Sequence, residues 1–431
     1  MASAKLGLCG VFLLLALPLA GAAQAQLRGH GGPVRALAIS EDGSQAISGS
    51  FDSAVIRWSL SANTAQQVLR FHDGAVNAVC FLKDGRIASA GEDGRIAIWR
   101  TGEQQPATVF EGHQAPVVGL AVAPDGSSIA SAAWDRTARI WPLARNAKPH
   151  VFEGHSQNVN GVAFTPDGTA LVTAGYDATL RIWPLGDGAP PSITALPTPL
   201  NAVAVASDGE IVAAGADGKL YFLSANGTPA GELEATAAPL IALALSSDGK
   251  LIAAAGIRGA IVLIDRKSRT LIRTLVGPGL PIWSAAFFPS DRMLLTGGAD
   301  RMIRRWDIAS GEQIGDVVAG APEDPLAGFA GDHGAEVFRA CVACHTLNPN
   351  EGMRAGPTLA GLFGRRIATL PGYNFSEALK KLEIVWTPET VSKLFEIGPM
   401  VYTPGTKMPE QRIGSPADRA ALVEFLERAT K

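Results

Sequence analysis

Glu111-Gly112-His113 and, further on, Trp134-Asp135-Arg136-Thr137-Ala138-Arg139-Ile140-Trp141 make one copy of a pattern that recurs along the chain. Histidines stand at 30, 72, 113 and 155, and an aspartate follows each after 21 or 22 residues, at Asp52, Asp93, Asp135 and Asp177. Six residues beyond each aspartate is a tryptophan (Trp58, Trp99, Trp141, Trp183), and four before it is a hydroxyl (Ser48, Ser89, Ser131, Thr173). Alternating apolar runs and Asp-Gly turns lie between, as in Val162-Ala163-Phe164-Thr165-Pro166-Asp167-Gly168. These read as short strands joined by tight hairpins. A fixed period of this length marks a repeat array in which each unit buries its faces only against its neighbours.

A His, an Asp and a Ser within one unit could suggest a catalytic triad. Their fourfold recurrence at one period assigns them to structure instead. The units resemble WD40 repeats, which implies a β-propeller with a hydrogen-bonded His, Ser/Thr, Asp and Trp tetrad inside each blade. Such a network is stable only when every member is satisfied. Three weaker units follow. Residues 195–225 keep Asp217 but place Leu223 at the tryptophan position, and residues 235–266 have Arg258 for Asp and Ile264 for Trp. The last unit recovers Thr296, Asp300 and Trp306-Asp307, with Pro278 where a histidine would stand. Seven units imply an all-β seven-bladed propeller over 26–318. Its closing strand has two candidates, Gln26-Leu27-Arg28 and Gly311 to Val318.

The 431 residues are 47% hydrophobic and 18% charged with net charge −3, a folded multidomain composition without the basic excess that binds nucleic acid. At the N-terminus, Lys5, the apolar stretch Val11 to Leu19 and Ala23-Gln24-Ala25 read as a signal peptide over 1–25. The chain is therefore expected to be exported, with no membrane span after cleavage. Cys80, in the apolar run Val76 to Phe81, reads as a buried structural thiol.

Cys341-Val342-Ala343-Cys344-His345 is the C-x-x-C-H signature of covalent c-type haem attachment. Together with export, this motif makes the periplasm of a bacterium the expected location. Pro404-Gly405-Thr406-Lys407-Met408-Pro409 can bring a thioether to the opposite face. A His345/Met408 pair would fill both axial positions and raise the reduction potential. An Ala/Gly/Pro-rich segment, 319–331, reads as a linker. Beyond it, Asp332 caps one helix, Thr387-Pro388 opens another, and Ser415-Pro416 starts the last. Residues 332–431 resemble class I cytochrome c, all-α, over nearly their whole length. The resemblance rests on Gly356-Pro357-Thr358-Leu359-Ala360-Gly361-Leu362-Phe363-Gly364-Arg365, Pro371-Gly372-Tyr373-Asn374-Phe375-Ser376, Trp386 and the Thr406-Lys407-Met408 run. It implies one haem c on Cys341 and Cys344, with the Pro357 carbonyl accepting from the His345 imidazole. It also implies that Arg365, Tyr373 and Trp386 contact the propionates, while Phe375 stands where the family commonly has a tyrosine.

This combination points to a periplasmic monohaem electron carrier with unidentified redox partner proteins and a propeller that docks a protein. From residue 332 onward, twelve Lys/Arg face eleven Asp/Glu, so the lysine ring by which the family steers its partners is missing. A second reading makes the protein a redox enzyme whose propeller holds a substrate site, as in haem d1 nitrite reductases or quinoprotein dehydrogenases. Histidine supply weighs against it: of seven, four belong to tetrads and His345 to haem, leaving His150 and His333.

Overall fold

The computed structural model describes residues 26–314 and 326–431, apart from 187, 278, 340, 344, 349–355, 372, 374, 376, 405, 407 and 409–411. The expected signal peptide and residues 319–325 of the expected linker lie outside these.

Seven antiparallel sheets follow one another, six with four strands and one with three, each ordered as its strands occur in the chain. In blade 1 the strands are Val34–Ile39, Gln45–Ser50, Ala54–Ser59 and Thr64–Arg70, called a to d from the innermost outward. In all seven blades an irregularity of pairing interrupts strand a near its start, as between Val34 and Ala36, which increases local twist. The alternating runs place apolar residues on both faces of each sheet. Seven buried clusters result, one in each interface between neighbouring blades. Blade 2 meets blade 3 through Ile96, Ile98, Val117, Ile129 and Trp141, for example. No blade could bury these faces alone, so the ring is the folding unit.

Both candidates close the ring. Strand c of blade 7, Ile303–Asp307, pairs at one end with Leu27, whose N–H donates to the Ile303 carbonyl at 3.1 Å. At its other end the Asp307 N–H donates to Glu312 at 2.9 Å and the Ile314 N–H to Arg305 at 2.8 Å. The outer strand of the last blade is thus assembled from the two ends of the propeller segment.

Among the described residues the C-terminal domain has five helices: α1 (His333–Phe338), α2 (Glu377–Lys380), α3 (Pro388–Ile397), α4 (Pro399–Tyr402) and α5 (Pro416–Ala429). The expected caps are in place: Asp332 accepts from Ala335 N, Ser415 from Asp418 N, and Thr387 and Thr390 form a capping box. α1 stops at Phe338, short of the cysteine motif, and Cys341–Ala343 make a separate 3-10 turn. α1 crosses α5 at Gly334, where an added Cβ would collide with the Ala421 carbonyl and Phe425. Phe338 and Phe329 pack against Phe425 with centroids 5.4 and 5.0 Å away. Leu326 and Phe329, which fall inside the segment read as linker, join this core. The domain is not purely helical, since Arg366 and Val385 form an isolated antiparallel bridge.

Candidate haem site and the propeller networks

The turn from Cys341 to His345 is held by the His345 N–H, which donates to the Cys341 carbonyl at 3.0 Å. Beyond it the chain returns alongside itself, with Leu359 N–H donating to the Thr346 carbonyl at 2.9 Å and the Thr358 hydroxyl bonding the same oxygen. That pairing brings Pro357 level with the imidazole. His345 Nδ1–H donates to the Pro357 carbonyl at 2.8 Å, the bond implied by the family resemblance. A neutral ring that carries its proton on Nδ1 has its lone pair on Nε2, the metal-binding nitrogen in this tautomer. Gly356 lies against the ring: a Cβ there would stand 2.6 Å from Nδ1 and 2.8 Å from Nε2.

Cys341 is buried in a cluster with Leu362, Leu394, Phe395 and Leu422, and Leu359, Phe363, Trp386, Tyr402 and Met408 pack against the same cluster. Met408 is held by its backbone N–H, which donates to the Thr406 hydroxyl at 3.1 Å. Cys344 lies outside what is described. Arg365 and Trp386 sit side by side on paired backbone, the Trp386 N–H donating to the Arg365 carbonyl at 3.0 Å. The Arg365 guanidinium donates to the Ala360 and Thr358 carbonyls at 3.0 and 3.1 Å, and burial pulls its pKa down. Tyr373 is placed differently. Its ring lies 4.6 Å from Phe375 and carries the guanidinium of Arg70, a propeller residue, 4.4 Å from its centroid. An oriented imidazole, a glycine pressed to it, and a buried thiol and thioether sharing one apolar core fit a haem c.

In the propeller the four tetrads are formed. His113 Nδ1 bonds Asp135 at 2.7 Å, its Nε2 meets the Ser131 hydroxyl at 2.7 Å, and Trp141 Nε1–H donates to that hydroxyl at 2.8 Å. Blades 1, 2 and 4 repeat this with His30, His72 and His155. Burial alone would raise the Asp135 carboxyl, but hydrogen bonds from His113 and Thr137 outweigh it and hold the group low. Blade 5 has a replacement that the sequence reading missed: the Tyr221 hydroxyl donates to Asp217 at 2.5 Å where a histidine is lacking. The available signal was a tyrosine four residues after the aspartate, in place of Arg139 and Arg181 of blades 3 and 4. Burial pushes the Cys80 thiol up to about 12, in keeping with an inert structural cysteine.

A groove of about 880 Å³ lies between blades 3 and 4 beside His150, Phe152, Phe164 and Trp183, and no haem-domain residue lines it. No helix among the described residues is long and apolar enough to cross a membrane.

The fold and site together define a propeller joined to a small domain fitted to bind haem. The family model for cytochrome c matches residues 331–430, and that for "WD domain, G-beta repeat" matches 21–59, 63–100, 104–142, 147–184 and 269–307, spans that fall on the five blades retaining the tryptophan. The cytochrome c of Cochliobolus lunatus is 42% identical over 99 residues, 23% of this chain and 91% of that protein. That of Arabidopsis thaliana is also 42% identical over 99 residues, 23% of this chain and 88% of its own length. The cytochrome c of Sesamum indicum is 39% identical over 98 residues, 22% of this chain and 87% of that protein. Through its C-terminal domain, the chain belongs to the cytochrome c family. That domain implies haem c and suggests electron transfer, and the WD40 propeller suggests protein partners.

Proposed function

We propose that the protein is a periplasmic monohaem electron carrier whose WD40 propeller docks the protein it exchanges electrons with. The observation that carries this reading is the His345 Nδ1 bond to Pro357, with Gly356 against the ring. It orients the imidazole as a ligand rather than as an acid or base. Cys341 and Cys344 would hold the haem through thioether bonds, and His345 and Met408 would ligate the iron. When bound, the haem supplies a reversible one-electron couple. With His345 and Met408 both committed to the iron, the site would pass electrons by outer-sphere transfer rather than bind a substrate. Around it the residues exclude water: Leu359, Leu362, Phe363, Leu394 and Trp386 form the apolar wall. Arg365 and Trp386, held on adjacent backbone, and Tyr373 are the proposed propionate contacts.

Export rests on the Lys5, Val11–Leu19 and Ala23-Gln24-Ala25 pattern. A docking role is supported by one face of the propeller. The residue just before the tetrad aspartate position is Phe51, Trp134, Tyr176 and Ile257 in blades 1, 3, 4 and 6, and these are 43, 42, 44 and 41% exposed. All occupy turns between strands b and c, which the strand order puts on one side of the ring. Exposed aromatic side chains gathered on one face are what a protein interface buries.

Met408→Ala tests the ligation. In the oxidised holoprotein it is expected to abolish the near-infrared sulfur–iron band and lower the potential; an unchanged spectrum would overturn the assignment.

A further inference from the structure

Arg70 ends the outer strand of blade 1, two residues before His72. The residues at the same place before the other tetrad histidines, Arg28, Glu111 and Glu153, are exposed, whereas Arg70 is only 9% exposed. Its guanidinium carbon lies over the ring of Tyr373 of the haem domain, 4.4 Å from the centroid. Phe375 backs that ring at a centroid distance of 4.6 Å. A planar cation on an aromatic face, largely out of water, is a specific attachment rather than a glancing contact.

We propose that Arg70 is a positioning residue for electron transfer: it seats the haem domain on blade 1 and holds a positive charge against the Tyr373 ring. The proposal rests on the reading of the C-terminal domain as haem-bearing, and deepens it by making the propeller part of the haem's electrostatic environment. Reduction adds a negative charge to the domain. A cation kept nearby and shielded from water favours that state, and so raises the potential. Arg70 pairs with Ala54, which opens strand c directly after the turn bearing Phe51. The seat therefore lies at the rim of the face that carries the exposed aromatic residues, and a protein bound on that face meets the haem domain at its edge.

The test is a redox titration of the full-length holoprotein. Arg70→Gln is expected to lower the midpoint potential, while Arg70→Lys, which keeps a cation over the ring, stays close to the unsubstituted protein. In a Tyr373→Leu background, Arg70→Gln is expected to produce no further shift, because the seat is already gone. Small-angle scattering of Arg70→Gln is expected to give a larger radius of gyration. An unchanged potential in Arg70→Gln overturns the proposal, and so does an equal shift with and without Tyr373. The sulfur–iron band is expected to survive in every Arg70 variant. A fault in the ligation reading shows instead in Met408→Ala, so the two failures are distinguishable.

Discussion

Five histidines are put to two uses in the two domains. In the propeller, His30, His72, His113 and His155 each spend both ring nitrogens on protein side chains, an aspartate on one side and a hydroxyl on the other. In the haem domain, His345 turns one nitrogen to a backbone carbonyl, which fixes the tautomer and aims the other. The surroundings follow suit. Each tetrad hydroxyl also accepts from a tryptophan, closing the network, whereas the His345 ring is pressed by a glycine next to an apolar wall. The same side chain is structural where its hydrogen-bonding capacity is exhausted within the blade. It is free to serve as a ligand where the protein only orients it.

The sharpest way to break this contrast is at Gly356. Gly356→Ala puts a methyl group within 2.6 Å of Nδ1, so the ring or its partner Pro357 must move. Most of the covalently bound haem is expected to be lost, read as Soret absorbance per mole of purified protein, while the propeller remains folded. Normal haem content in this variant would show that the ring is not held as described.

Ser131→Ala attacks the other side of the comparison. It removes the shared partner of His113 Nε2 and Trp141 Nε1 inside a buried blade. Two buried polar groups left unsatisfied cost about 2–4 kcal/mol. Denaturant unfolding of the propeller should show that loss, with the haem spectrum unaltered. Blades 5 and 6, where Leu223 and Ile264 fill the tryptophan position with fully buried side chains, have no such network to break.

The smallest effect is expected in mild acid. Burial pushes the His155 pKa below its ordinary 6.5, against the pull of Asp177. The unfolded chain then binds the proton more readily, so propeller stability is complete above pH 6.5 and begins to fall below it. Asp93, Asp135 and Asp177 are held under their ordinary 3.8 by hydrogen bonds that overcome burial. Their contribution is present above 3.8 and is lost as the pH drops through their folded values. Melting temperature against pH should therefore show a shallow decline below 6.5 and a steeper one below 3.8. A flat profile down to pH 3 would mean the tetrads do not depend on their charge state.

Much of this was legible in one dimension because it is carried by spacing. The His, Asp and Trp intervals place four tetrads, and their hydrogen bonds appear where those intervals put them. Asp332, Thr387 and Ser415 cap the helices they precede, since a cap involves only the next three residues. Pro357 meets His345 across a short return of chain. Tyr221 was overlooked because its hydroxyl substitutes for a histidine from a different position in the repeat.

By itself, then, the sequence determined the repeat, the number of blades, the haem motif and the helix caps, all set by groups that interact within one repeat or one turn. Tertiary structure decided the rest. Leu27 and Glu312–Ile314 share the closing strand because each segment reaches one end of the outer edge of strand c in blade 7. Arg70 meets Tyr373 because blade 1 is where the haem domain comes to rest. The Leu27–Ile303 and Arg70–Tyr373 contacts join segments hundreds of residues apart with no periodicity to announce them, and only the packed chain brings them within hydrogen-bonding or van der Waals reach.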